Sequence, residues 1–495
     1  MSFASLNSPD IDQLITSFAQ TTALTVIVGA GASMEASLPS WPTLIERLLQ
    51  RVADEDPLLT DPLARGEWVT STLAREDLLA AGAIVEVLAD EDLAALLPDA
   101  LYAGEDPASF EPGPIAHQVA NLRRCFGERA TLLTTNYDDL IERALLEAGF
   151  SKRDVRSYVQ SRAVRAPVIA VTHLHGLAGR GSAPKQLVLS EEQYHRMQRG
   201  SSWQERCMTE RLESSSCLFV GTSLTDPNLI RYLYGYKQSP ARTHAAIFVR
   251  QGETDGASAE VGAARERAAA KRWGRCGVQA IFVDHFADAA QLLYEIAHRR
   301  DADDGYTPIG ARADRALRLI GDVALRDGAP QDEFAERQVA LSRWLRDTLR
   351  VTLTAALGAG PPESEPLAIA LWLLSPDGRR ITGWVHSDRA HQDPTTIESV
   401  PVRADSTWAA VRAVCQGVQV EHPSESEISR WRFVRALPIV LKEPSRIPIG
   451  ALTIASALPG AESILTQMSA ESQTILHRAL REALLPQFER VAFDT

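Results

Sequence analysis

The sequence predicts an α/β protein with a doubly wound, Rossmann-like parallel sheet and a helical insertion, followed by a C-terminal α+β domain with an antiparallel sheet. In the first 300 residues, short β-branched runs alternate with helical patterns, which is typical of a parallel sheet. The runs are continuously apolar, as in strands that are covered on both faces. The predicted strands are residues 24–28, 130–134, 168–172, 217–221, 245–249 and 278–283.

Helical patterns separate these runs and complete the first predicted domain, residues 1–300. Two of the predicted helices cover residues 137–148 and 287–299. Residues 42–128 are rich in Leu, Ala, Glu and Asp and carry almost no strand signal. We therefore interpret residues 42–128 as a helical insertion beside the sheet.

A polar stretch with Gly and Pro at residues 301–310 predicts a boundary. We expect residues 301–330 to be a linker with a helix at 311–326, and residues 331–495 to be the second domain. A turn signal at residues 375–378 favours antiparallel strands there. The second domain is predicted to hold helices at 331–357, 406–415 and 461–490, and antiparallel strand pairs 367–374 with 380–386 and 433–441 with 449–456.

Composition excludes several classes of protein. The formal net charge of −13 argues against nucleic-acid binding over the whole surface, because that needs clustered Lys and Arg. Five cysteines without a CxxC pair exclude a disulfide scaffold and give no recognisable zinc site. Residues 13–34 are uncharged but contain too many polar residues for a membrane span, and no signal peptide is visible. We expect a cytoplasmic protein without a metal.

The first candidate site is the loop Gly29-Ala30-Gly31-Ala32-Ser33, between an apolar strand and a helix. Glycines let a pyrophosphate approach the backbone, and a helix N-terminus offers unpaired N–H groups. A tight turn without a ligand would use the same glycines. The third glycine of the usual dinucleotide fingerprint is missing, which argues against an ordinary nicotinamide dehydrogenase.

The second candidate site follows the strand at 130–134 and contains Thr135, Asn136 and Asp138. Strand carboxyl ends of an open parallel sheet face the ligand crevice, where an Asn and an Asp can hold a ribose and an amide. The alternative is that Thr135 or Asn136 only caps the next helix.

The third candidate site is His173-Leu174-His175-Gly176, at the end of another apolar run. We expect at most one of the two histidines to face the crevice. No Asp, Glu or Cys flanks them at ligand spacing, so a metal pair is not expected. A histidine near its ordinary pKa is a suitable general base at neutral pH.

The fourth candidate site is Gly221-Thr222-Ser223, which follows the strand at 217–221. Small hydroxyl residues and a glycine at a strand end can receive a ribose or a phosphate. For the adjoining Asp226 and Pro227, a turn with a helix cap is an equally good interpretation. Four strand ends with ligand-type residues are far more specific together than any one of them.

In order and spacing these motifs resemble the sirtuin fold. The Thr134–Asp138 run, the stretch 187–194 and the ending at 223–228 are most similar to bacterial sirtuin-like NADases of anti-phage defence. The resemblance covers about residues 15–300. It implies a regulated NAD⁺ hydrolase that releases nicotinamide and ADP-ribose and stops phage infection by depleting NAD.

The resemblance also implies roles for the site residues. The loop Gly29–Ser33 would hold the pyrophosphate, and Thr222 and Ser223 would contact the adenosine-side ribose. Asn136 would contact the nicotinamide ribose and position water, and Asp138 would meet the carboxamide. His175 would act as general base or as partner of a ribose hydroxyl.

Two alternatives stay open. The first is a signalling module that binds NAD or ADP-ribose without turnover. The second is a protein deacylase, but deacylating sirtuins carry two CxxC pairs between the third and fourth motifs, where this chain has only Cys207 and Cys217.

The second domain resembles a GAF-type sensor domain, on the pattern of residues 432–441 and 448–456. The resemblance implies a homo-oligomer and an activating ligand or partner protein at this domain. The alternative is an antiparallel sheet that only mediates oligomerisation. Its tryptophans line a pocket in one interpretation and form core in the other.

Overall fold

A computed structural model of the chain shows the fold. The chain forms two compact units, one of Gln13–Asp304 and one of Met1–Asp12 with Gly305–Thr495. The helix predicted at 311–326 lies outside the described residues. The structure describes residues 9–34, 36–89, 93–160, 168–179, 184–198, 202–239, 242–250, 259–283, 286–301, 331–360, 362, 364–375, 379–392, 397–403, 406–417, 419–423, 430–440, 448–469, 472–480 and 482–483.

The unit Gln13–Asp304 is built on a parallel sheet. Its strands are β1 (Leu24–Val28), β2 (Ala130–Thr134), β3 (Val155–Tyr158), β4 (Ile169–His173), β5 (Ser216–Val220), β6 (His244–Val249) and β7 (Val278–Val283). Their order is β3-β4-β2-β1-β5-β6-β7, and every neighbouring pair is parallel. The predicted parallel sheet is confirmed, with strand bounds that agree or differ by one residue.

The direction in which the chain adds strands reverses at β1, which has β2 on one side and β5 on the other. Every residue of β1 and of β5 is buried, as their continuous apolar sequences predict. Thr25 is the one polar residue of β1, and its hydroxyl pairs with the Ser215 hydroxyl at 2.6 Å. Ligands bind at the carboxyl ends of strands beside such a reversal, so the topology places a crevice there.

Strand β3 was not predicted. Its two central residues, Arg156 and Ser157, are exposed, and it pairs only with β4 at the edge of the sheet. An edge strand with exposed polar residues at its centre lacks the apolar run by which the buried strands were found.

Helices surround the sheet and form the insertion between β1 and β2. The insertion has a core of its own, which includes Leu48, Val85 and Leu97. The helix predicted at 137–148 begins later, at Leu140. The helices in this part of the chain are Pro9–Ala19, Gly31–Met34, Trp41–Glu55, Pro62–Arg75, Leu78–Ala89, Leu93–Tyr102, Pro114–Phe126, Leu140–Glu147, Glu191–Gln198, Trp203–Ser214, Pro227–Gly235, Ala259–Gly274 and Phe286–Asp301, with 3₁₀ turns at Pro107–Ser109 and Gly127–Arg129.

The second unit is built on an antiparallel sheet, as predicted. Its strands are β8 (Leu367–Leu374), β9 (Arg380–His386), β10 (Ser399–Pro401), β11 (Val420–Pro423), β12 (Phe433–Val440) and β13 (Pro448–Ser456). Their order is β10-β9-β8-β13-β12-β11. Both predicted strand pairs are present, and the short outer strands β10 and β11 were not predicted.

Two helices pack on this antiparallel sheet. Gln331–Leu357 lies against β8 and β9, and Ala409–Gln416 lies against β11, β12 and β13. Trp372 and Trp384 are buried in the core of the unit, whereas Trp408 is 39% exposed. Burial of the first two tryptophans favours core over pocket lining for them.

The prediction of a single helix over residues 461–490 is wrong. The described residues contain a 3₁₀ turn at Gly460–Glu462, a short helix at Ile464–Gln467 and a separate helical segment at 472–480. Buried Glu365 accepts hydrogen bonds from the Ser463 hydroxyl at 2.7 Å and from the Ile464 N–H at 2.9 Å. These bonds fix a new helix start, and the extended backbone of Met468 ends that helix after one turn.

None of the described helices is both long enough and apolar enough to span a bilayer.

We expect Gly450→Ala to destabilise the second unit. A Cβ at Gly450 would lie 2.0 Å from the carbonyl oxygen of Trp372, so β13 and β8 must move apart. The expected loss is about 1–3 kcal/mol, measured by denaturant unfolding of the full chain. Gly360→Ala is the control, because its Cβ would meet nothing within 4 Å. Equal stability of the two variants would contradict this packing.

Candidate functional site

The carboxyl ends of β1, β2, β4 and β5 meet at one cavity of about 830 Å³. Residues from all four candidate sites lie in its wall. These residues are Gly29, Ala30, Gly31, Ser33, Thr135, Asn136, Asp138, His175, Gly221, Thr222 and Ser223.

Three glycines hold the loops after β1 and β5 together. The N–H groups of Gly29 and Gly31 donate to the carbonyls of Val220 and Gly221, at 2.9 and 2.7 Å. A Cβ at Gly29 would lie 2.6 Å from the Gly221 carbonyl oxygen, and a Cβ at Gly221 would lie 2.6 Å from the Ala32 nitrogen. Gly221 also has a φ of +66°, which L side chains rarely adopt. These glycines are therefore required by the packing of the two loops.

Asn136 ties the loop after β2 to the loop after β1. Its side-chain NH₂ donates to the Gly29 carbonyl at 3.1 Å and to the Ser33 hydroxyl at 2.8 Å. Its own N–H donates to the Thr134 hydroxyl, at 3.0 Å. The side-chain oxygen of Asn136 is buried and has no hydrogen-bond partner among the described residues. A buried acceptor on a cavity wall is available to a ligand or a water.

Asp138 lies beside Asn136 and shares Ser33 with it. The Ser33 hydroxyl donates to Asp138 Oδ2 at 2.7 Å, and the Leu140 N–H donates to Oδ1 at 3.1 Å. Burial raises the pKa of Asp138 above its ordinary value, although both of these hydrogen bonds act to lower it.

The alternative that Thr135 or Asn136 caps the next helix is wrong. The capping position of the helix Leu140–Glu147 is Asp139. Three residues separate Asn136 from the first residue of the helix, so its side chain is too early in the chain to cap it. The Asn136 side chain instead donates a hydrogen bond to the loop after β1.

The two histidines after β4 have different surroundings. His173 is fully buried; its Nδ1 lies 3.0 Å from the Asn136 carbonyl and its Nε2 lies 2.9 Å from Glu142 Oε1. Burial lowers the pKa of His173, but the Glu142 carboxylate and both hydrogen bonds outweigh this effect, so the pKa lies above 6.5. His173 thus supports the loop that carries Asn136, and it is not in the cavity wall.

His175 is in the cavity wall. Its Nε2 lies 3.2 Å from Asp226 Oδ2, and its ring meets the ring of Tyr194 edge-on, with centroids 5.5 Å apart. Burial lowers the pKa of His175, and Asp226 partly opposes that shift. The neighbouring Gly176 has a φ of +97°, and a Cβ there would lie 2.5 Å from the Gln186 carbonyl oxygen. Only glycine fits at that turn without displacing the facing backbone.

The loop after β5 lines the cavity and also caps the next helix. Thr222 and Ser223 are in the cavity wall. Asp226 caps the helix Pro227–Gly235, since its Oδ1 accepts the Leu229 N–H at 2.8 Å. Asp226 is also in the cavity wall and contacts His175, so it is a site residue that sequence reasoning missed. Its position before a proline gave only the capping signal.

The helical insertion supplies a largely apolar side of the cavity, which the sequence did not predict. Tyr194 of the helix Glu191–Gln198 was also missed as a lining residue. No periodicity distinguishes a residue that faces a cavity from one that faces a core. The insertion contributes Trp41, Pro42, Leu44, Asp77, Leu78, Leu79 and Leu101.

The described lining residues include no Lys or Arg. Among these lining residues, the groups that can bind a phosphate are backbone N–H groups and hydroxyls. In the described part of the chain, the N–H groups of Ala30, Thr222 and Ser223 make no hydrogen bond, whereas those of Gly29 and Gly31 are used between the loops. No group of three His, Cys, Asp or Glu residues within the described ranges has the arrangement of a metal site.

Comparison with known families finds one match. Residues 130–274 match the SIR2-like domain. The matched segment starts at β2 and includes Asn136, Asp138, His175 and the loop after β5.

Relatives are similar to parts of the chain. An NAD(+) hydrolase named ThsA from Acinetobacter baumannii is 27% identical over 179 residues, which are 34% of this chain and 36% of the relative. The chain thus matches about a third of that relative's length. A Sir2 homologue in complex with NAD has 16% identity and a TM-score of 0.31, over 59% of this chain and 94% of that chain. A mutant Sir2 homologue in complex with ADP-ribose has 15% identity and a TM-score of 0.27, over 48% and 84%. Structural similarity at these scores does not bear on function.

We expect Glu142→Gln to destabilise the protein by about 3 kcal/mol, because it leaves His173 buried beside a neutral partner. The raised folded-state pKa means that this stabilisation is fully present below about pH 6.5 and is lost as the pH rises through the folded-state pKa. Denaturant unfolding at pH 6 and pH 9 should therefore show a larger effect of the substitution at pH 6.

Glu147→Gln is the matched control, on the same helix. Glu147 faces His117 at 3.7 Å, but both side chains are at least one-third exposed. Its loss should cost less than about 1 kcal/mol. A similar loss for both variants, or no dependence on pH, would contradict the assignment of a charged buried pair.

Proposed function

We propose that the chain is an NAD⁺ hydrolase that breaks the bond between nicotinamide and its ribose. One observation carries the proposal: the ligand-type residues of four separate strand ends, Asn136, Asp138 and His175 among them, lie in the wall of one cavity. The SIR2-like match at 130–274 and the hydrolase relative support it.

NAD would lie across the ends of β1, β2 and β5. Its pyrophosphate would meet the loop Gly29–Ser33, where the Ala30 N–H is free to donate, and its adenosine-side ribose would meet Thr222 and Ser223. A pyrophosphate without a Lys or Arg partner is bound by backbone dipoles, which is the usual function of a glycine-rich loop at a helix start. The nicotinamide carboxamide would reach Asp138.

The reaction needs little chemistry from the protein. The N-glycosidic bond breaks with its electron pair on nicotinamide, and the ribose carbon becomes oxocarbenium-like. Water then adds to that carbon, and its proton leaves, so that NAD⁺ and water give nicotinamide, ADP-ribose and a proton. Positioning and electrostatics supply most of such catalysis.

Asn136 and His175 are the proposed catalytic residues. The unpartnered side-chain oxygen of Asn136 would orient the attacking water or a ribose hydroxyl. The lowered pKa of His175 keeps its imidazole neutral at pH 7, so it can accept the proton that the water loses. Thr135 is in the wall beside them and would contact the ribose.

The test is release of nicotinamide and ADP-ribose from NAD, measured by chromatography. We expect Asn136→Ala and His175→Ala to lower the rate by at least about 100-fold, because each removes a group that acts on the reacting atoms. His195→Ala is the control, because His195 is largely exposed and its Nε2 lies 3.4 Å from the exposed carboxylate of Glu191. Full activity in both site variants would contradict the proposal. NAD binding without release by the wild type would favour a binding module instead.

We also propose that the second unit is a regulatory GAF-like domain, and that the hydrolase is held inactive until infection. The unit has a six-stranded antiparallel sheet with helices packed on it, which suits a sensor or an oligomerisation domain. The domains would be residues 1–300 and 331–495, with a linker between them. Destruction of NAD is toxic, so an inactive resting state is required in a cytoplasmic effector of anti-phage defence.

We expect freshly purified dilute protein to hydrolyse NAD slowly, and the rate per molecule to rise steeply with concentration if a homo-oligomer is the active form. In infected cells, NAD should fall when the wild type is present and stay level with His175→Ala. A full rate from dilute protein without a trigger would contradict the resting state.

A further inference from the structure

Three chain segments meet at one carboxylate in the cavity wall. Asp226 follows β5, His175 follows β4, and Tyr194 belongs to the helix Glu191–Gln198. Asp226 Oδ2 lies 3.2 Å from His175 Nε2 and accepts the Tyr194 hydroxyl at 2.6 Å. The side chains of Asp226 and His175 are 15% and 9% exposed, so little water screens the pair.

The Asp226 carboxylate is fixed from its other side as well. Oδ1 accepts the Leu229 N–H at 2.8 Å as the cap of the helix Pro227–Gly235. With both oxygens engaged by groups on different elements, the carboxylate has one orientation. It is therefore a rigid partner for the imidazole.

The contact with Asp226 favours one tautomer of the His175 imidazole. Its Nε2 lies 3.2 Å from a carboxylate oxygen, so we expect the hydrogen of the neutral ring on Nε2 and the lone pair on Nδ1. In the described part of the chain, no hydrogen bond engages Nδ1. The Tyr194 ring, edge-on at 5.5 Å, limits rotation of the imidazole.

We propose that Asp226 is the positioning residue of His175: it fixes the ring so that Nδ1 accepts the proton of the reaction. This inference rests on the proposed function and adds a residue to it. Asp226 touches neither the substrate nor the reacting atoms in this scheme. It acts by orienting the imidazole and by stabilising the imidazolium that forms when Nδ1 takes the proton.

Charge supports this arrangement. The Asp226 carboxylate is the charged group that acts on His175 from the described elements packed against it, and Tyr194 shares the same carboxylate oxygen. The Asp226 carboxylate raises the pKa of His175, although burial lowers that pKa by more. Tyr194 stays a neutral donor, since burial and the nearby carboxylate raise its pKa.

Asp226→Asn is the variant that isolates this role. An asparagine has the same size and is as good a helix cap as aspartate, but it carries no charge. Asp61→Asn is the matched control: Asp61 also precedes a proline and caps a helix, accepting the Leu63 N–H at 3.2 Å, and it is outside the cavity wall. Both variants are made in the full chain, and their unfolding midpoints are compared.

For Asp226→Asn we expect kcat for NAD cleavage to fall by about 10- to 100-fold, part of what a general base contributes, with KM changed less than about 3-fold. The acid limb of the kcat profile should move to lower pH, because loss of the carboxylate lowers the pKa of His175 further. Asp61→Asn should match the wild type in kcat, in KM and in the acid limb of the kcat profile. An unchanged kcat and acid limb in Asp226→Asn, with stability equal to the control, would overturn the proposal.

The state of His175 is also measured directly, without turnover, by NMR of protein with labelled histidine, assigned with His175→Ala. We expect hydrogen on Nε2 in the wild type, and a lower His175 pKa in Asp226→Asn. Hydrogen on Nδ1 in the wild type, or an unchanged pKa in the variant, would overturn the positioning role. If the wild type releases no nicotinamide, the proposed function fails, while these spectra still decide whether Asp226 positions His175.

Discussion

The site depends on the close approach of two loops, those after β1 and β5. Gly29, Gly31 and Gly221 allow it, because at each of them a Cβ would lie within 3.0 Å of the other loop. The contact is possible only where the sheet order places β5 directly beside β1. With the two loops held together, the helix start at Gly31–Met34 and the hydroxyls of Thr222 and Ser223 face the same cavity.

A second constraint is the buried polar network between the loops after β1 and β2. The Ser33 hydroxyl joins Asn136 to Asp138, and His173 supports the same loop from behind. Buried polar groups are costly without partners, so such a network specifies one arrangement. The side-chain oxygen of Asn136 has no partner among the described residues, and the proposed reaction uses it as the acceptor that orients water.

Much of this could be predicted from the sequence. Continuous apolar runs located the buried strands, and glycine, Asn, Asp and His residues just after those runs located the cavity, because parallel strands end on the same side of the sheet. The C-terminal strand pairs followed from a turn signal between two apolar runs. Each of these signals lies within a short stretch of sequence, and the structure of that stretch agrees with it.

The rest depends on contacts between distant residues. Strands β3, β10 and β11 are short and lie at sheet edges. Exposed residues interrupt the apolar run in each of them. The new helix start at Ile464 depends on Glu365, about a hundred residues earlier in the chain. Asp226 had a sufficient local explanation as a helix cap, so nothing in the sequence joined it to His175 or Tyr194.

The measurement that tests the central claim most directly is an experimental structure of the full-length His175→Ala variant with NAD. The account predicts intact NAD in the cavity, with its pyrophosphate against the loop Gly29–Ser33 and its nicotinamide beside Asn136 and Asp138. NAD bound elsewhere on the chain, or a cavity that stays empty at saturating NAD, would contradict it.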